Sequence, residues 1–82
     1  MGRVEDITRE IEALTAKVDN SPRSAELYVE RAKRYLLLEQ FDKALNDYIM
    51  ASEIEPKDTE ITQSIEMIKS IFNYRNIDIY NP

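Results

Sequence analysis

Histidine and cysteine are both absent from the 82 residues, so the commonest general base and the most nucleophilic side chain are missing. Acid–base chemistry would fall to the sixteen Asp and Glu residues. Two carboxylates can do such work when held at a fixed separation, but here they are scattered along stretches of helical spacing, where carboxylates serve solvation. Asp19 and Glu30 are spaced like the first and last ligands of an EF-hand calcium loop. Arg23 would then occupy a ligand position, Ser24 would replace the required glycine, and Pro22 would lie between them. That candidate fails. Phosphate-cradling loops need glycines, and the single glycine is Gly2. Arg31, Lys33 and Arg34, interleaved with Tyr28 and Tyr35, have the composition of a single-stranded RNA surface. The tyrosines fall on an apolar stripe, however, and Glu26, Glu30 and Asp47 can neutralise the cations. The expectation is a chain with no catalytic residue, no metal, no cofactor and no nucleic-acid partner.

The elements that would position any site are helical. Val4, Ile7, Ile11, Leu14 and Val18 recur at steps of three and four, which puts them on one face of a helix over residues 4–19. The run stops before Pro22, whose preceding residue is biased out of helical geometry. A second helix begins at Ser24, a good N-cap, with Glu26 in the first turn and Leu27, Tyr28, Ala32, Tyr35 and Leu38 facing inward. A third spans about Asp42 to Ile54, with Phe41, Ala44, Leu45, Tyr48, Ala51 and Ser52 on one side, and Pro56 closes it. A fourth starts at Asp58 or Thr59 and carries Ile61, Ile65, Ile68 and Phe72 at helical steps. Residues 73–82 lack a helical period, and Asn73, Asn76 and Asp78 discourage continuation of the helix. They are expected to form an extended tail that folds back on its own module, or on a second copy, covering helix four; the other reading is a recognition motif for another protein. Connections this short make neighbouring helices antiparallel.

Charge is unevenly placed. The net charge is −5, and residues 39–60 hold two basic and seven acidic side chains, whereas the flanking segments balance. Such a region repels polyanions. No apolar run exceeds four residues, as in Tyr35 to Leu38, far short of a membrane span. A chain without cysteine or a spanning segment is expected in the cytoplasm.

Pro22 and Pro56 stand 34 positions apart. Sliding residues 7–24 onto 41–58 superposes Ile7 on Phe41, Ile11 on Leu45, Leu14 on Tyr48, Arg23 on Lys57 and Ser24 on Asp58. Helix one therefore keeps the register of helix three. Residues 25–58, AELYVERAKRYLLLEQFDKALNDYIMASEIEPKD, resemble one complete repeat of the tetratricopeptide (TPR) family, whose helix–turn–helix period this is. Tyr28 stands where the family usually has Trp, Ala32 at its small position, and Tyr35 and Phe41 at its aromatics. Ala44, Tyr48 and Ala51 match the second-helix face, and Pro56 the terminal proline. Two residues depart from the pattern. Arg31 replaces a usual Leu, which is expected to expose one edge of the helix pair. Glu39-Gln40 replaces a glycine-containing turn, which is expected to lengthen helix two.

The resemblance implies an all-α, antiparallel TPR-like solenoid in one domain, residues 1–82. Residues 4–19 form a second half-repeat, 25–58 the complete repeat, 59–72 a capping helix and 73–82 the tail. The competing fold is an unrelated four-helix bundle with the same periods. The resemblance further implies a non-enzymatic interaction module that receives a peptide or helix of a partner protein in a concave groove. That groove would be lined by Glu26, Val29, Lys33 and Leu36 of helix two beside Glu60, Gln63, Met67 and Ser70 of helix four. Val29 and Leu36 project away from the apolar stripe, so they are expected to be free for a partner, the other reading being that Leu36 and Leu37 pack under the tail. The family's clamp for a C-terminal carboxylate is not matched, because Val29 and Lys33 occupy its places. The alternative partner is a second copy of the chain, joined through the open repeat ends.

Overall fold

The computed structural model describes residues 3–74, and within them the chain forms four α-helices and no strand. They are α1 (Arg3–Asn20), α2 (Ala25–Leu37), α3 (Phe41–Ile54) and α4 (Thr59–Tyr74). The boundaries follow from capping chemistry. The Ser24 hydroxyl accepts a hydrogen bond from the Leu27 N–H at 3.3 Å and starts α2. Asp58 does the same for α4, its Oδ1 accepting from the N–H groups of Glu60 at 2.9 Å and Ile61 at 3.3 Å. Asn73 and Tyr74 belong to α4, so the helix runs two residues beyond the expected boundary, past an asparagine whose helix preference is only a weak local bias. The rest of the expected tail lies outside the described residues.

The turn between α2 and α3 corrects the expectation of a longer second helix. Helix α2 ends at Leu37 and Glu39 adopts φ 58°, the left-handed conformation. The Gln40 N–H then donates to the Tyr35 carbonyl at 2.9 Å, and the Glu39 N–H donates to the Leu36 carbonyl at 2.9 Å. This is the Schellman closure that usually has glycine at the left-handed position. Glutamate carries it here.

Cross-helix contacts fix the helix directions. Arg31 and Arg34 of α2 reach Thr15 and Glu10 of α1, in descending order. Arg31 reaches Asp47 of α3, while Lys43 lies 5.9 Å from the centroid of the Tyr35 ring. Phe41, opening α3, meets Phe72, late in α4, edge to face at 6.4 Å. Each helix therefore runs antiparallel to the next.

The core forms along the face where α2 and α3 pack, the most extensive of the helix contacts. Ala32, Ala44 and Ala51 are wholly buried there, and with only a methyl group each they permit close backbone approach. Val18, Tyr28, Tyr48, Ile61, Ile68 and Phe72 complete the cluster. Ile7 and Ile11 of α1 are also buried, but Val4, on the same stripe, is 63% exposed. The first turn of α1 extends past the surface it packs on.

Candidate functional site

A cleft of about 540 Å³ opens between α2 and the N-terminal part of α4. Ser24 and Asp58, the residues that start those helices, both line it, because each helix runs antiparallel to the next and so α2 and α4 start at the same end. Glu26, Val29 and Lys33 of α2 line one wall, Glu60, Ile61 and Ser64 of α4 the other, and Tyr48 of α3 lies between. Four of the eight groove residues expected from the sequence thus share one cavity: Glu26, Val29, Lys33 and Glu60. Leu36, Gln63, Met67 and Ser70 do not line it. Gln63, Met67 and Ser70 are exposed on α4.

The expectation that Val29 and Leu36 are free of the core is corrected. Both are half-buried and pack against the core cluster. They flank the Tyr28–Ala32–Tyr35 stripe closely enough on the helical wheel to share its shelter. Leu37 is the residue of that stretch that stays outside, 59% exposed.

Asp47 is the polar residue whose burial the sequence pattern did not single out. It is 4% exposed and belongs to the same face of α3 as Ala44, Tyr48 and Ala51. The spacing of 44, 47, 48 and 51 carries that signal, since three- and four-residue steps share one side of a helix. Its carboxylate accepts two hydrogen bonds from Arg31, from Nε to Oδ2 and from Nη2 to Oδ1, both at 2.7 Å. This is the bidentate geometry that suits guanidinium to carboxylate. Arg31 Nη1 donates at 3.1 Å to the Thr15 hydroxyl, which itself donates to the Ile11 carbonyl at 2.8 Å. The guanidinium also lies 5.8 Å from the Tyr28 ring centroid and 5.9 Å from that of Tyr35.

Arg31 therefore does not open an edge of the helix pair. It joins α1, α2 and α3. The hydrogen-bonded Asp47 carboxylate raises the Arg31 pKa above its ordinary value, against the opposing effect of burial. Nearby, Arg34 is held by Glu10 of α1 at 3.0 Å and by Glu30 of its own helix at 2.7 Å. The hydrogen bond to Glu10 raises its pKa most. Two of the three basic side chains that gave the sequence an RNA-like look are thus engaged within the fold.

Among the described residues no group of three or more acidic or other ligating side chains is placed to hold a metal ion. No helix among them is long and apolar enough to cross a membrane. The chain matches no family model, and comparison with curated proteins and with solved structures likewise gives no match.

Proposed function

We propose that the chain is a TPR-like interaction module, not a catalyst, that receives an extended peptide or a helix of a partner protein between α2 and α4. The observation that supports this most is the cleft itself. It is concave, open to solvent, and walled by the first helix of the complete repeat and the helix that follows the repeat. The 34-residue register between α1 and α3 supports the solenoid form of the fold. Protein partners bind such surfaces through a few anchoring side chains in pockets surrounded by polar groups.

The test is selection of peptides from a random display library on the immobilised protein, followed by amide chemical-shift mapping of an enriched peptide. Shifts concentrated at Glu26–Lys33 and Glu60–Ser64, and binding changed by Lys33→Glu without loss of helicity, are the expected result. Shifts confined to α1 would defeat the proposal.

A second proposal, self-association through the open end of the array, is favoured by one feature. Leu37 and Val4 are exposed apolar residues, and Leu37 shares a shallow hollow with Ile7 and Arg3 of α1. Light scattering across a range of concentrations distinguishes the two, since a dimer through this end would dissociate in a Leu37→Glu variant.

A further inference from the structure

We infer that the cleft between α2 and α4 takes a basic segment of its partner, seating an arginine or lysine side chain between Glu26 and Glu60 above Tyr48. This rests on the groove proposal and specifies the chemistry of the occupant.

Tyr48 carries the argument furthest. It is 3% exposed, it lines the cleft, and its hydroxyl makes no hydrogen bond to another described residue. No buried side-chain oxygen or nitrogen lacks a partner among the described residues. The hydroxyl is therefore a part of Tyr48 that reaches the surface, and the residue lines the cleft. A tyrosine buried in a core normally has its hydroxyl bonded. This one keeps its hydroxyl accessible, where it can accept a hydrogen bond from an incoming N–H donor.

The charge around that acceptor sets the sign of the donor. The cleft is lined by five carboxylates against two cations. Glu30 is engaged by Arg34, and Asp58 caps α4. Glu26, Glu55 and Glu60 are exposed and make no ion pair among the described residues. Carboxylates are acceptors only. Glu26, Glu55 and Glu60 together with Asp58 outnumber Arg23 and Lys33, the cations that line the cleft without an ion pair among the described residues, and a guanidinium or ammonium meets that excess with charge complementarity. An acidic segment would meet the excess negative charge. A second copy of this chain, itself at −5, would be repelled at long range.

The probe is a fluorescein-labelled unstructured peptide with arginines spaced among Ala, Gly and Ser, titrated by fluorescence anisotropy. Length-matched peptides with glutamine or glutamate in place of arginine are the comparison. The arginine peptide should bind at least about tenfold tighter than the glutamine peptide, with affinity falling as salt rises. Glu26→Gln with Glu60→Gln should weaken it by about tenfold, whereas Glu5→Gln with Glu12→Gln, an equal charge change on α1, should not. Tyr48→Phe keeps the ring and should weaken it by about threefold. Equal loss from the two double variants, or equal binding of the arginine and glutamine peptides, overturns the inference. Binding of the glutamine or glutamate peptide that Lys33→Glu abolishes overturns it while leaving the groove proposal standing. Failure of the arginine peptide to bind overturns the inference, and failure of the display selection as well removes the groove proposal with it.

Discussion

The turn from α2 to α3 and the turn from α3 to α4 both reverse the chain between antiparallel helices, yet they are built from opposite materials. At the second, Asp58 supplies a side-chain cap to two N–H groups of α4. At the first, Gln40 makes no side-chain cap and Glu39 sits in left-handed geometry. The less favourable turn nevertheless joins the helices with the most extensive interface. A non-glycine residue in that conformation costs about 1–2 kcal/mol. Packing between α2 and α3 therefore overrides local preference at their junction, whereas the α3–α4 junction has a favourable local cap. The difference teaches where stability resides: in the interhelical contacts of the inner pair, above all the fully buried alanines and the Arg31–Asp47 pair.

The largest expected effect comes from breaking that pair. Arg31→Met leaves the Asp47 carboxylate buried without its two donors, and such a loss costs about 3 kcal/mol or more. Replacing both, Arg31→Met with Asp47→Leu, removes the stranded charge and should recover most of the stability. Urea denaturation of the wild type, both single variants and the double variant closes the cycle. If the single substitutions are each near neutral, the pair does not join the three helices in the manner described. The pH dependence has a clear sign. Because the Arg31 pKa is raised, its contribution is fully present below the unfolded value and is lost only as pH rises through the folded one. Arginine titrates so far into alkali that Arg31 should impose no stability change across the neutral range.

A smaller effect should separate inner from outer helices. Ala44 is wholly buried where α2 and α3 approach, so Ala44→Leu overpacks the interface at a cost of about 1–3 kcal/mol. Met67, exposed on α4, should accept leucine within about 0.5 kcal/mol. Thermal melts of the two variants make the comparison directly. Equal melting temperatures would mean that the alanines do not set the close approach.

The helices, their caps and most of the core were legible because each depends on local spacing. Ser24 and Asp58 announce their helices by residue type, and Tyr28, Ala32, Ala44, Tyr48 and Ala51 by three- and four-residue steps. What was not legible depends on pairing across helices. Arg31 departs from the repeat pattern in a way that suggests an open edge, and only its reach to Asp47 and Thr15 shows a closed one. Half of the expected groove converges for a similar reason. Residues toward the starts of α2 and α4 are brought together by the fold, whereas Leu36, Met67 and Ser70 lie farther along those helices, and Gln63, next to the lining Ser64, is exposed outside the cleft.

The smallest expected effect acts on the turn itself. Glu39 is exposed and makes no side-chain hydrogen bond or ion pair among the described residues, so its side chain contributes little that a substitution would remove. Glycine adopts φ 58° without a Cβ penalty and would complete the Schellman closure with its favoured residue. Against this, glycine adds conformational entropy to the unfolded chain, which offsets part of the gain. The net expectation for Glu39→Gly is stabilisation by about 0.5–1 kcal/mol. Asparagine, which tolerates the left-handed region better than most residues, should fall between glycine and glutamate. Valine should destabilise, because a β-branched side chain is a marked outlier there. The ordering Gly, Asn, Glu, Val in melting temperature would show that strain at one residue, relieved locally, leaves the α2–α3 contacts untouched. If glycine instead lowers stability, Glu39 is not held in the left-handed conformation in solution, and α2 is longer than Leu37.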